Sequence, residues 1–307
     1  MTGVPAPGAH TEDEHGTAGE AQPRRVPDKL PALPGRIEER EEDAYYDGGW
    51  RGIDLTDERY NQAPSPPDLF RRSDGVALLY REKIHYFYGA PETGKSFAAQ
   101  VAVAWTLNDG GNVVYVDFEN DPYSVRARLV AVGATWTGLG GLVYVNPSRP
   151  WTSEAERRDF FSVVEAGADL VIVDGISNAM GLMGRSPLNH DDVVAFEMGF
   201  LRPLTRSGGA VVAVDHSAKP RQGESASLFG GQHKKAAVTG ASFYFKRVAP
   251  FGRGLMGQSR IMLDKDKPGW LRRHAVNGAV AEFVLISRPD GSVEAKLNPP
   301  TGGNERQ

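Results

Sequence analysis

Eight consecutive residues, Gly89-Ala90-Pro91-Glu92-Thr93-Gly94-Lys95-Ser96, satisfy the pattern G-x-x-x-x-G-K-[ST] at every constrained position. The chemistry this pattern serves is the binding of a nucleoside triphosphate, ATP or GTP. Successive backbone N–H groups line a concavity, and a helix N-terminus adds partial positive charge, so that phosphate oxygens recover the hydrogen bonds they lose with water. Gly89 and Gly94 stand where a Cβ would obstruct. Lys95 supplies a point charge to the outer phosphates, and the Ser96 hydroxyl is a ligand for Mg2+.

Three further groups of residues carry compatible chemistry. Asp169-Leu170-Val171-Ile172-Val173-Asp174 is an apolar run ending in a carboxylate, about 80 residues beyond the loop, and Asp174 suits a magnesium site. Gly175 follows it, so a water-activating acid has to come from elsewhere. The run Val113-Val114-Tyr115-Val116-Asp117-Phe118-Glu119 ends in two acids that strand alternation sends to one face. Either suits the role on spacing, and Glu119 is expected to fill it. Asp215-His216-Ser217-Ala218-Lys219 ends a third apolar run, where a neutral His216 can donate to an outer phosphate. The Gly-containing stretch 220–235 then brings Lys219, Arg221, Lys234 and Lys235 together as candidates for nucleic-acid phosphates.

These groups need a scaffold that delivers them to one place. Apolar stretches at 84–88, 112–118, 142–146, 170–174 and 210–215 read as strands. Helices are expected between them: 97–107 after the loop, one capped by Asp121 with Pro122 and carrying Val125, Leu129 and Val132 on one face, one opened by a Ser153/Glu156 capping box, and one opened by Asp191 or Asp192 with Val194, Met198 and Leu201 on its apolar face. Alternation of this kind predicts an α/β fold with a mostly parallel sheet covered on both faces, whose strand ends form the binding edge. Beyond residue 242 strands follow one another, at 243–248, 260–264 and in a hairpin over 282–297, and are expected to extend one sheet edge in antiparallel fashion.

The 307 residues contain no cysteine, which excludes disulfides, thiolate zinc sites and thiol nucleophiles. No apolar run approaches the roughly 20 residues of a membrane span, and no apolar signal core is present at the N-terminus, so a cytoplasmic protein without membrane contact is expected. Residues 1–60 hold about 14 acidic and about 7 basic side chains, within an overall net charge of −4. The Pro-, Gly- and charge-rich stretch 1–43, ending in Glu38-Glu39-Arg40-Glu41-Glu42-Asp43, is expected to be a disordered acidic tail. Residues 44–75, with Tyr45, Tyr46 and Trp50, are expected to form a linker or arm, and 76–307 the core.

Together the loop, the Asp117-Phe118-Glu119-Asn120 strand end, Asp174 and the Asp215 to Lys219 cluster resemble the RecA-like P-loop ATPases. Within them they are similar to the RepA-like and DnaB-like hexameric helicase branch, often called AAA family ATPases of phages and mobile elements. Leu263-Asp264-Lys265-Asp266-Lys267-Pro268-Gly269 looks like that branch's strand and turn bearing a Lys-x-Arg finger, with Lys267 in place of the arginine. The resemblance, over about residues 66–300, implies a RecA-like core, Glu119 as the base, Asp174 as the magnesium carboxylate, His216 as a phosphate sensor, and Lys265 and Lys267 as cations reaching a neighbouring copy's nucleotide. It also implies ATP and Mg2+ as cofactors, single-stranded DNA touched by residues 177–190 and 220–235, a hexameric ring, and a loader or replication protein as partner. The leading expectation is a replicative helicase. The alternative on the same core is a recombination or regulatory ATPase that binds DNA or protein without unwinding.

Overall fold

The computed structural model describes residues 54–58, 61, 65–217 and 231–301. The expected acidic tail at 1–43 lies outside the described residues. The chain opens with two short antiparallel strands, β1 (Leu69–Arg71) and β2 (Ala77–Leu79). There follow β3 (Ile84–Gly89), α1 (Lys95–Asn108), β4 (Val113–Asp117), α2 (Pro122–Ala131), β5 (Leu142–Val145), α3 (Glu154–Glu165) and β6 (Leu170–Asp174). Next come α4 (Ile176–Leu182), α5 (His190–Phe196), α6 (Arg202–Leu204), β7 (Ala210–His216) and α7 (Gly231–Ala237), and then β8 (Ala241–Ala249), β9 (Met256–Asp266), β10 (Ala279–Ser287) and β11 (Val293–Asn298).

Nine strands form one sheet in the order β11-β10-β9-β8-β3-β7-β6-β4-β5. The strands from β8 to β5 in that order are parallel, and β9, β10 and β11 are antiparallel additions. β8 is the exception to the expected antiparallel C-terminal set: it runs parallel to β3, because the segment containing α7 carries the chain back across the sheet before β8 begins.

Alternation along each central strand sends its side chains to two separate cores. Leu170 and Ile172 of β6 pack with Val103, Leu107 and Leu129 on one face, while Val171 and Val173 pack with Phe160, Val164 and Ile176 on the other. This is why the strand reads as an unbroken apolar run. Truncating such a side chain, as in Ile172→Ala, costs about 2–5 kcal/mol. The core begins ahead of residue 76. Phe70 on β1 packs against Phe87 and Trp105, and the buried Arg72 donates to the carbonyl of Val280 at 2.6 Å, so this part of the expected arm belongs to the folded unit.

Two helix ends follow their sequence signals, and one helix departs. Asp121 caps α2 by accepting from the Ser124 N–H, with Pro122 in the first turn. Ser153 caps α3 through the Glu156 N–H, but the Glu156 carboxylate turns to Thr152 and Arg149 instead of closing the reciprocal bond. α5 is capped by Asn189 and not by Asp191 or Asp192, and it runs into a π turn at Glu197–Leu201. Its buried face is Val193, Phe196, Phe200 and Leu201, whereas Val194 and Met198 are exposed. The aromatic cluster of Phe196 and Phe200 with Trp151, Phe160 and Phe161 buries far more apolar area than the expected row, and it sets the helix phase.

Candidate nucleotide site

Parallel pairing brings the carboxyl ends of four adjacent strands, β3, β7, β6 and β4, to one edge. Gly89 lies opposite His216, and Asp117 opposite Asp174. The octapeptide leaves this edge from β3 and enters α1 at Lys95. Gly89 sits so close to β8 that a Cβ would stand 2.7 Å from the carbonyl oxygen of Phe245. Gly94 has a φ of +81°, and a Cβ on it would meet the Phe251 ring at 2.6 Å. Within the loop, the Thr93 hydroxyl and the Lys95 ammonium both donate to the Ala90 carbonyl, at 2.9 and 2.8 Å. Ser259 of β9 donates to the Thr93 carbonyl at 2.7 Å, a tie between distant segments that fixes the loop from beneath. Burial pulls the Lys95 pKa down, and the carboxylates of Glu119, Asp174 and Asp215 oppose that pull.

Ser96 Oγ donates to Asp174 Oδ1 at 3.2 Å. The other oxygen of Asp174 accepts from the Tyr115 hydroxyl at 2.9 Å, and Gln100 donates to that hydroxyl at 3.4 Å. Burial, reinforced by Asp117 and then Glu119, pushes the Asp174 pKa up to about 7 despite these donors. A buried carboxylate with acidic neighbours and a serine hydroxyl beside it has the donor set and the charge deficit that a hard divalent cation satisfies, so Ser96 and Asp174 fit magnesium.

The two acids after β4 do different things. Asp117 is buried, and its Oδ1 accepts from the backbone N–H groups of Glu119 and Asn120, both at 2.9 Å, while Oδ2 accepts from Tyr144. The strand ends there, so alternation no longer governs Glu119; the Asp117-centred turn redirects it. Glu119 lies over Gly175, whose φ is +90° and whose missing Cβ would stand 2.6 Å from Glu119 Cγ. Its Oε1 is 3.4 Å from His216 Nε2. The histidine is the main cause of a lowered Glu119 pKa, and the glutamate is the main cause of a raised His216 pKa. His216 is therefore held toward its cationic form, unlike the neutral donor expected from sequence. Lys95, Ser96, Asp174, Glu119 and His216 thus share one edge.

The remaining sequence candidates are placed differently. Lys234 is 1 % exposed, with Nζ 2.6 Å from Asp215 Oδ2 and 3.4 Å from Ser177 Oγ. A buried ammonium cannot meet a nucleic-acid phosphate, which corrects its assignment to DNA. Lys235 pairs with Asp264 at 2.5 Å and stays partly exposed. Lys219 and Arg221 lie outside the described residues. Of the stretch 177–190, the first part is helix α4 instead of loop. Lys265 donates to the carbonyls of Lys235 and Ala236 at the end of α7, and Lys267 is exposed. Because β9 is antiparallel to β8, both lysines lie toward the end of the sheet away from this chain's own loop: Lys265 is level with Tyr86 and Lys267 with Ile84, about 10 and about 17 Å along the strands from Gly89.

Tyr115, Gln100 and Ser259 were not among the sequence candidates. The spacing of Tyr115, two residues before Asp117 on the same strand, was the available signal for one of them. Arg128 lies over the Phe97 ring, 5.4 Å from its centroid, and donates to Asn120 Oδ1 at 3.0 Å. Both Phe97 and Arg128 line a cavity of about 820 Å³ beside the loop, closed by Phe251 and Leu285.

A mostly parallel sheet with helices on both faces, antiparallel strands at one edge and this loop at the strand ends define a RecA-like P-loop ATPase. Among solved structures, the chain is similar to the KaiC-like protein from the hyperthermophilic archaeon Pyrococcus horikoshii OT3, with a TM-score of 0.53 at 12 % identity, over 76 % of this chain and 100 % of that one. Residues 53–222 match the family model described as an AAA domain (AAA_25), and the chain belongs to that family. No curated protein sequence matches it. The family match spans the loop, Glu119, Asp174 and His216. No helix among the described residues is long and apolar enough to cross a membrane.

Proposed function

We propose that this chain hydrolyses ATP as a ring-forming motor on single-stranded DNA, in the manner of the RepA-like hexameric helicases, with each nucleotide held between two copies. The observation that carries the hydrolysis is the Glu119 carboxylate, poised over Gly175 and 3.4 Å from His216 on the edge that bears Lys95 and Ser96. Glu119 is the base that orients and deprotonates the attacking water. A glutamate carboxylate is ionised at neutral pH, the form that can accept a proton. Lys95 and the loop amides stabilise charge on the outer phosphate. Ser96 and Asp174 would hold magnesium, which would neutralise charge on the phosphates. His216 leaves Glu119 for the outer phosphate when substrate is present and returns on its loss. Arg128 and Phe97 wall the cavity that takes the base.

Lys265 and Lys267, remote from their own loop, serve the nucleotide of an adjacent copy. A lysine lacks the planar fork of an arginine, so each is a weaker transition-state clamp. Lys219, Arg221 and Lys235 are the remaining DNA candidates.

One observation favours a second reading, a nucleotide-driven regulatory ATPase that does not unwind. Two of the four cations assigned to DNA are paired within the fold, Lys234 with Asp215 and Lys235 with Asp264. ATP turnover measured with and without single-stranded DNA separates the two. Stimulation by about tenfold or more, lost progressively with salt as phosphate contacts are screened, supports the motor. Turnover indifferent to DNA supports the regulator. Native mass spectrometry adds the assembly, with six copies expected for the motor.

A further inference from the structure

α2 and β5 enclose a groove of about 460 Å³ lined by Pro122, Val125, Leu129, Trp136, Leu139 and Tyr144. Of these, Trp136 stands open to water, at 77 % exposure. The Arg126 guanidinium stacks on the Trp136 ring, 5.6 Å from its centroid, and puts a cation on the rim. β5 ends the nine-stranded sheet, so among the described residues no strand pairs with its outer edge. An apolar groove alongside an unpaired strand edge suits a short peptide with aromatic side chains and a free backbone.

The chain carries such a peptide outside its described residues. In its first 59 residues the only aromatic side chains are Tyr45, Tyr46 and Trp50, and they directly follow Glu38-Glu39-Arg40-Glu41-Glu42-Asp43. The acidic run complements Arg126, and the aromatics match the groove. The reach is short. Asp68 and Leu69 share a hollow with Trp105 and Asn108, and Asn108 in turn holds the turn that bears Trp136, donating to the Gly133 carbonyl at 2.8 Å and accepting from the Thr135 N–H at 3.0 Å. From Trp50 to Asp68 the chain spans up to about 60 Å when extended, so the peptide meets its own groove at high effective concentration.

We propose that the groove between α2 and β5 is the docking site of this chain's own segment 44–50, which covers Trp136 and the free edge of β5 and leaves the acidic run beside Arg126. The proposal stands apart from the nucleotide chemistry and does not depend on it.

Because the protein has no cysteine, the double variant Gly49→Cys/Gly140→Cys reports the contact directly in the full chain. Gly140 is exposed, and a Cβ there meets no atom within 4 Å. Under mild oxidation at high dilution, an intrachain disulfide is expected. As a second measure, Trp50→Ala and Trp136→Ala are each expected to speed amide hydrogen exchange in β5 by about tenfold. A disulfide formed only between chains would overturn the proposal in favour of a second copy on the groove. Exchange in β5 that is unchanged by Trp50→Ala would overturn it outright.

Discussion

Gly175 and Glu119 are in mutual contact: the glycine has a φ of +90°, and a Cβ on it would stand 2.6 Å from Glu119 Cγ. The residue after Asp174 is therefore glycine for a reason that lies on another strand. Glu119 leans across from the end of β4, and position 175 has to stay bare to admit it. The left-handed backbone adds a second reason for glycine.

Substituting that glycine should damage catalysis more than binding. Gly175→Ala displaces Glu119 and strains a positive-φ position, costing about 1–2 kcal/mol of stability. Steady-state kinetics should show kcat falling by about 10²-fold with KM for ATP nearly unchanged. A KM effect with kcat preserved would mean that Glu119 does not act on the chemical step.

The Glu119–His216 pair should leave a pH signature. Its contribution to stability is complete between the ordinary glutamate value of 4.5 and the ordinary histidine value of 6.5. It is lost as pH rises through the raised His216 pKa, and as pH falls through the lowered Glu119 pKa. Both groups are partly exposed, so the effect is small, below about 1 kcal/mol. Thermal unfolding of wild type and His216→Ala from acid to alkaline pH should show a gap that is full below the ordinary histidine value of 6.5 and closes as pH rises through the raised His216 pKa. A gap that widens with rising pH would contradict the pairing.

Lys234 offers a test of burial against surface function. Lys234→Met leaves the Asp215 carboxylate, itself 2 % exposed, without its ammonium partner. Breaking a buried pair in this way costs about 3–5 kcal/mol, which chemical denaturation resolves. Asp215→Asn in the same chain should restore part of it. Unchanged stability with weakened binding of single-stranded DNA would instead return Lys234 to the nucleic-acid surface.

How far the site could be read from sequence follows from what kind of information each part needs. The loop was legible because glycine, lysine and serine at fixed spacing answer to phosphate geometry. The placement of Asp174 and Glu119 on one edge was legible because unbroken apolar runs mark buried strands, whose carboxyl ends line up in a parallel sheet. The division of labour between Asp117 and Glu119 was not, since it depends on where β4 stops and on a turn closed by the Asp117 side chain. Lys234 misled because composition counts a cation without seeing the carboxylate that buries it. The phase of α5 was misjudged for a similar reason: Phe200 answers to rings on α3 and to Trp151, and Phe196 packs on Phe200, which no periodicity along one helix reveals.

Water activation by Glu119 is tested most directly by removing its basicity alone. Glu119→Gln keeps the size of the side chain and removes its basicity. Single-turnover ATP hydrolysis, measured alongside equilibrium binding of ATP, should show the rate falling by about 10²–10⁴-fold while affinity for ATP stays within a few-fold of wild type. Hydrolysis by Glu119→Gln at the wild-type rate would contradict the assignment.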